Sequence, residues 1–272
     1  MTNPRRKPTL RSVAMPAEHG GWGLTLEPGI LGVLLAPSAA GVLLAVGAVL
    51  AFLLRTPLRL VLLRQLRPGE RAPTTEAGQA RKQLASQVAI AELVAIGFAL
   101  AGAAILAQDS NWIWPLVVAM PMFAIAFVYD LRSSSRHIVA EVIGSVAVAS
   151  VAAMGTLAGG GSGALALGAW LILGARVFSS IPHVRAQIQR IHGREPASRP
   201  GIIGDLAAVW TAALAVLLEP SLTFGAAAIV VLVVVQRITL ARPPRPAKVL
   251  GVRQMILGFA VVGATALGAW LS

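Results

Sequence analysis

Long apolar runs, broken by short polar or Gly- and Pro-containing links, set the pattern of this chain. Stretches of roughly 17 to 25 apolar residues cross a hydrocarbon core of about 30 Å as a helix. Such stretches recur at about residues 21–36, 39–58, 84–106, 112–129, 138–158, 164–182, 202–218, 221–237 and 250–271. Each is bounded by charge or by Pro and Gly. The pattern predicts an all-α polytopic membrane protein with nine transmembrane helices, the first two and the seventh and eighth forming tight hairpins. Ahead of Trp22 the segment MTNPRRKPTLRSVAMPAEH is basic and has no apolar core, so residues 1–20 read as a cytosolic tail rather than a signal peptide. Residues 21–272 then form one membrane domain.

Composition agrees with this reading. Of 272 residues 56% are hydrophobic and 12% charged, where soluble domains carry about a quarter charged residues. Disorder, a collagen-like repeat and a water-soluble enzyme are excluded. The absence of Cys excludes disulfides, zinc thiolates and thiol nucleophiles. All 23 Lys and Arg and all 4 His fall on one side of the nine-helix arrangement. The other side holds only short links such as PSAA, QDSN, GGGSG and EPS. The positive-inside rule therefore places the amino terminus in the cytosol and the carboxyl terminus outside. In the tail and in the PRPAK connection the basic residues read as solvated and lipid-facing, at about 1 kcal/mol each toward anionic head groups. Membrane lipids are thus expected partners. No aromatic-interleaved basic stripe or recognition helix points to nucleic acid.

Two cytosolic connections, at about 59–83 and 183–201, are longer than hairpin links require, and long ordered loops are commonly functional. From Arg176 the sequence runs RVFSSIPHVRAQIQRIHG. At 100° per residue Arg176, Ser179, Ser180, His183, Gln187 and Arg190 share a stripe about 80° wide, passing Pro182, which is expected to kink the helix and free a carbonyl near Phe178. Snorkelling explains the arginines of a helix end but not Ser, His and Gln on the same face. A ligand-facing wall explains all of them. Arg55 and Arg59, one turn apart, either anchor their helix at the interface or clamp an anion.

Three acids, Glu27, Glu92 and Glu141, lie within apolar spans and are expected to face the bundle interior, where they either fix helix register or carry protons. Glu18 and His19 adjoin the first span in EHGGWG, a base-and-orienter pair if the two side chains converge. Tyr129, the only tyrosine, precedes Asp130 and reads as an interfacial anchor or a site residue.

The segments EHGGWGLTLEPGILGVLLA and RVFSSIPHVRAQIQRIHG and the arginine-rich second connection resemble the YwiC-like family of bacterial membrane proteins, whose activity is unassigned. More distantly, the chain is similar to the UbiA superfamily of intramembrane prenyltransferases. That similarity implies a UbiA-like bundle of nine helices, a cytosol-facing cavity and functional connections after helices two and six. Pro28, Tyr129 with Arg132, Glu141, Gly144 and Trp170 stand where that superfamily tends to have comparable residues. Its two aspartate-rich magnesium motifs are missing: RTPLRLVLLRQLRPGER and FSSIPHVRAQIQRIHGRE contain no Asp, so Mg2+ is not supported, no metal ligand is assigned and the cofactor is unknown.

The expectation is a protein of the bacterial cytoplasmic membrane that holds an anionic amphiphile of isoprenoid or quinone-precursor type, with prenyltransferase-like chemistry lost or recast without metal. Direct clamping by Arg55, Arg59, Arg176 and Arg185 takes the place of magnesium; Arg185, off the stripe, is the weakest of the four. The alternatives are a secondary transporter using Glu92 and a noncatalytic accessory subunit, the latter suggested by the small-residue run GSVAVASVAAMG.

Overall fold

A computed structural model describes residues 9–15, 21–66, 76–132 and 137–272. Among these the chain is helical throughout, with no strand: α1 (Leu10–Ala14), α2 (Gly21–Leu35), α3 (Ala39–Leu66), α4 (Glu76–Leu106), α5 (Ile113–Leu131), α6 (Ile138–Ala158), α7 (Gly163–Ile191), α8 (Ser198–Leu218), α9 (Thr223–Leu240) and α10 (Ala247–Leu271). Eight of the described helices are long and apolar enough to span a membrane. The exception among the nine expected spans is α2, whose 15 residues reach only about 22 Å at 1.5 Å per residue.

Small residues put α2 inside the bundle. A methyl group on Gly29 would stand 2.7 Å from the Ala45 side chain, and one on Gly32 would stand 2.9 Å from the Ala152 carbonyl. Glycine at these positions lets α2 approach α3 and α6 backbone to backbone, the packing that membrane interiors favour. The small-residue run on α6 is the other half of this contact, with Ala147 and residues 149–158 buried. Its close neighbours belong to its own chain: α2, α5 and α7 all pack on α6.

At the centre of the molecule lies α7, which touches α2, α6, α8, α9 and α10. Its N-terminus is capped by Ser162, whose hydroxyl accepts from the Leu165 amide at 3.1 Å. Pro182 does not end it, and the helix runs on to Ile191. The stop is a Schellman motif: Gly193, at φ +71°, donates to the Arg190 carbonyl at 3.0 Å, and Arg194 donates to that of Gln189 at 2.9 Å. The apolar core falls in two parts around α7. One joins Leu31, Leu44, Met154 and Trp170; the other joins Ile172, Leu222, Ile229 and Val261. The hairpin of α3 and α4 lies outermost, with Ile90, Phe98 and Ile105 exposed on α4, and lipid is the solvent that fits such a surface.

Candidate functional site

Midway along α7, Arg176 meets Glu27 of α2. The guanidinium Nε lies 2.7 Å from one carboxylate oxygen, and both side chains are 3% exposed or less. Nη2 donates to the other oxygen at 2.8 Å and to the Gln254 carbonyl of α10 at 2.9 Å. Gly258, one turn further along α10, closes over the pair: a methyl group there would overlap both the Glu27 carboxylate and the Arg176 guanidinium. A pair so desolvated holds only because each charge cancels the other.

Two more of the arginines expected to clamp a ligand are also matched by carboxylates. Arg55 of α3 donates to Asp130 of α5 from Nε at 2.5 Å and from Nη2 at 3.1 Å. Arg185 of α7 donates to Glu141 of α6 at 2.9 Å. A fourth pair, Arg237 of α9 with Asp205 of α8, was not singled out in the sequence. Each joins two helices, so Arg55, Arg176 and Arg185 tie the bundle together instead of presenting three open charges to one ligand. Arg59 is half-buried. Tyr129 stacks on His137 with ring centroids 5.3 Å apart. Glu18 and His19 lie outside the described residues.

The acids divide. Glu27 is in the interior as expected, whereas Glu141 is 31% exposed in its pair. Glu92 is on α4, which packs chiefly on α3, and its Oε2 has no hydrogen-bond partner among the described residues. It lies on the peripheral hairpin of α3 and α4.

Toward the basic end, the remainder of the α7 stripe forms a buried polar layer with α8, α9 and α10. Ser179, Ser180, His183 and Gln187 are all at least nine-tenths buried. Ser179 Oγ stands 2.6 Å from Asp205 Oδ1 and 2.8 Å from Gln236 Oε1, and its single hydrogen can be donated to only one of them at a time. Gln236 donates from Nε2 to Ser180 Oγ at 3.1 Å and to Gln254 Oε1 at 3.4 Å. His183 Nε2 and Gln254 Nε2 are buried without partners among the described residues. The stripe is therefore a helix-packing face over most of its length. Asp205, Gln236 and Gln254 were missed in the sequence, although an isolated polar residue inside an apolar span is itself a signal.

Below this layer the stripe opens into a cavity of about 260 Å³ between α7 and the link from α9 to α10. Among the described residues its wall includes Gln187, Thr239, Arg242, Arg245, Leu250 and Arg253, and no acidic residue. Gln187, 5% exposed, is the α7 residue on this wall. Its Nε2 donates to the Thr239 carbonyl at 3.1 Å, which fixes the amide and leaves Oε1 buried and without a partner among the described residues. Arg190 holds the link in place, donating to the Leu240 carbonyl and, at 3.0 Å, to that of Arg242. Arg253 reaches the Val235 carbonyl at 3.4 Å, a long contact that leaves most of its donors for other partners. Among the described residues the wall carries three arginines and no carboxylate, a gathering of like charge that an anion would relieve. Arg245, within the expected solvated strap, and Arg242 just before it are exposed and also line this cavity. No cluster of three His, Asp or Glu placed to hold a metal occurs among the described residues.

A family model described as YwiC-like protein matches residues 15–156. The chain belongs to the YwiC-like family. No curated protein and no solved structure matches it. The matched segment of this YwiC-like chain contains Glu27 and both partners of the Arg55 pair. It ends before α7, so the basic cavity lies beyond it.

Proposed function

We propose that this multi-pass YwiC-like membrane protein binds an anionic amphiphile at its basic end, the cytosolic face of the bacterial plasma membrane by the positive-inside rule. The observation that carries the reading is the cavity with Arg242, Arg245 and Arg253 on its wall and no acid among the described residues that line it. Arginine suits the role because its planar fork meets phosphate and carboxylate oxygens bidentately. The apolar part of the ligand has a track beside the cavity. Val249 is on its wall, and Val252 and Ile256, on the same face of α10, are 48% and 62% exposed. A head among the arginines and a chain along α10 is the arrangement an amphiphile requires.

Isoprenoid and quinone-precursor ligands fit this reading, as does a UbiA-like origin with a cavity opening toward the cytosol. The arginines then supply by direct contact the charge compensation that magnesium supplies in a prenyltransferase, so holding or presenting the ligand is favoured over metal-assisted transfer. Transport through Glu92 gains nothing from its peripheral position.

The test is mass spectrometry of small molecules that copurify with the gently extracted full-length protein, beside an Arg245→Ala, Arg253→Ala variant of matched stability. One anionic amphiphile enriched in the parent and lost in the variant is expected. The same bulk lipid in both would overturn the reading.

A further inference from the structure

Three buried polar atoms along one seam have no partner among the described residues: Gln187 Oε1 and His183 Nε2 on α7, and Gln254 Nε2 on α10. Turning the Gln254 amide over would set its nitrogen against that of Gln236, donor against donor, so reorientation does not supply the missing partner. Folded chains keep few such atoms. Each of the three has less than 1 Å² of accessible surface, so nothing in the neighbouring cavity touches them while α10 is in place. The stripe positions on either side put His183 on the same seam. Ser180 accepts from Gln236 of α9, and Gln187 donates to the Thr239 carbonyl and shares the cavity wall with Leu250 and Arg253 of α10.

The helix that covers this seam is held unevenly. Beyond Gly258 it is packed by Val261, Val262, Thr265, Ala266 and Gly268, all buried, and Trp270 donates to the Leu34 carbonyl of α2 at 2.8 Å. Before Gly258 only Leu250 and Gln254 are buried. Residues 241–249 are exposed, and the hydrogen bonds by which Arg190 pins the link end at Arg242. Gly251 lies in these first turns with nothing within 4 Å of where a methyl group would stand. Packing therefore does not demand glycine there, and a helical turn containing it unwinds more easily than one with Ala, by about 0.5–1 kcal/mol. Water is close at hand. Counted about 20 residues from their outer ends, α7 and α10 leave the hydrocarbon near Pro182 and Val252.

We infer that the first two turns of α10, residues 247–254, are a gate over the α7 stripe: they open locally from the cytosolic end and let water run from the cavity to Gln187, His183 and Gln254. The inference does not depend on what the cavity binds. Closed, the seam leaves its polar atoms dry and unsatisfied; open, it hydrates them, which offsets the loss of helix and the exposure of Leu250. The inner limit is Gly258 with the Glu27–Arg176 pair beneath it, because helices packed on a buried ion pair do not part there without stranding both charges.

The experiment uses the absence of cysteine. Ser180→Cys, His183→Cys and Gln187→Cys variants of the full-length protein, in lipid nanodiscs that leave both faces open, are treated with a small anionic methanethiosulfonate. Val177→Cys and Ile181→Cys, at buried apolar positions of similar depth, are the comparison. The stripe positions are expected to react at least about tenfold faster than the apolar ones, the ratio given by an opening about 1.4 kcal/mol easier. Equal rates would overturn the gate. Adding Gly251→Ala, whose methyl group meets no neighbour, is expected to slow the stripe positions about two- to fivefold. Rates unchanged by it would show that α10 is not the moving element and overturn the assignment. In the parent, deuterium exchange at the ring carbon of His183 reads the entry of water without any substitution. Exchange there is expected, more slowly than at the exposed His192. A His183 still unexchanged when His192 has exchanged fully would overturn the inference whatever the variants do.

Discussion

The position of Arg176 permits no neutral compromise: a guanidinium cannot give up its proton, and here, 3% exposed, it cannot reach water. Glu27 is what makes it tolerable, at 2.7 Å. Replacing one partner strands the other charge, at a cost of about 3–5 kcal/mol, while replacing both with apolar groups of similar volume is often close to neutral. Arg176→Met and Glu27→Leu are therefore each expected to lower the unfolding temperature of the detergent-purified protein sharply. The double variant should lie nearer the parent than either single one. Additive losses would show that the two residues act independently. Both were visible in the sequence, one on a polar stripe and the other as an acid inside an apolar span. Their pairing was not, since 149 residues separate them and periodicity within a helix carries no information about which distant helix it will face.

At the scale of elements, the contact between α7 and α8 shows how a local defect is absorbed by a neighbour. Pro182 cannot donate to the carbonyl four residues earlier, so the Phe178 carbonyl is left open. Gly204 of α8 packs directly over that carbonyl; a methyl group there would overlap the Phe178 oxygen and stand 3.0 Å from the Pro182 ring. Backbone cannot swing aside as a side-chain tip can. Gly204→Ala is expected to push α8 outward, cost about 1–3 kcal/mol and disturb the adjoining Asp205, which serves both Ser179 and Arg237. A thermal-unfolding profile unchanged from the parent would show that the two helices can part without loss. The centres of the spans were legible because hydrophobicity marks them, but their ends were not. Hydropathy falls at Pro182, and only the polar stripe that runs on to Arg190 signals that the helix continues as an amphipathic extension to Ile191. The α9 to α10 link is exposed from 241 to 249, as its prolines and basic residues suggest; that Arg242 and Arg245 also line a cavity with Gln187 of α7 was not legible, because it depends on which helix the link meets.

For the whole molecule, the strongest constraint is the segregation of charge, with every Lys and Arg assigned to one face of the nine-helix arrangement. Eight of the described helices qualify as spans by length and hydropathy, so the orientation depends on whether the short α2 also counts as a crossing. If it does, the chain passes from one side to the other and its ends lie on opposite faces; if it does not, the tail shares a side with the carboxyl terminus. The absence of cysteine makes a direct test possible, because any introduced thiol is unique. Ser110, in the link before α5, and Glu195, in the link after α7, are both exposed and on opposite faces of the bundle. In intact cells a membrane-impermeant maleimide is expected to label Ser110→Cys and Ser272→Cys, and to reach Glu195→Cys and Thr9→Cys only after permeabilisation. Labelling of Thr9→Cys together with Ser272→Cys from outside would demote α2 to a re-entrant element. It would leave Glu27 as the acid that such an element inserts against Arg176, a structural role that does not require α2 to cross. Labelling of Glu195→Cys from outside would invert the bundle and turn the basic cavity away from the cytosol. The bulk of the positive charge makes that orientation the costly one, at about 1 kcal/mol for each basic residue withdrawn from the anionic leaflet.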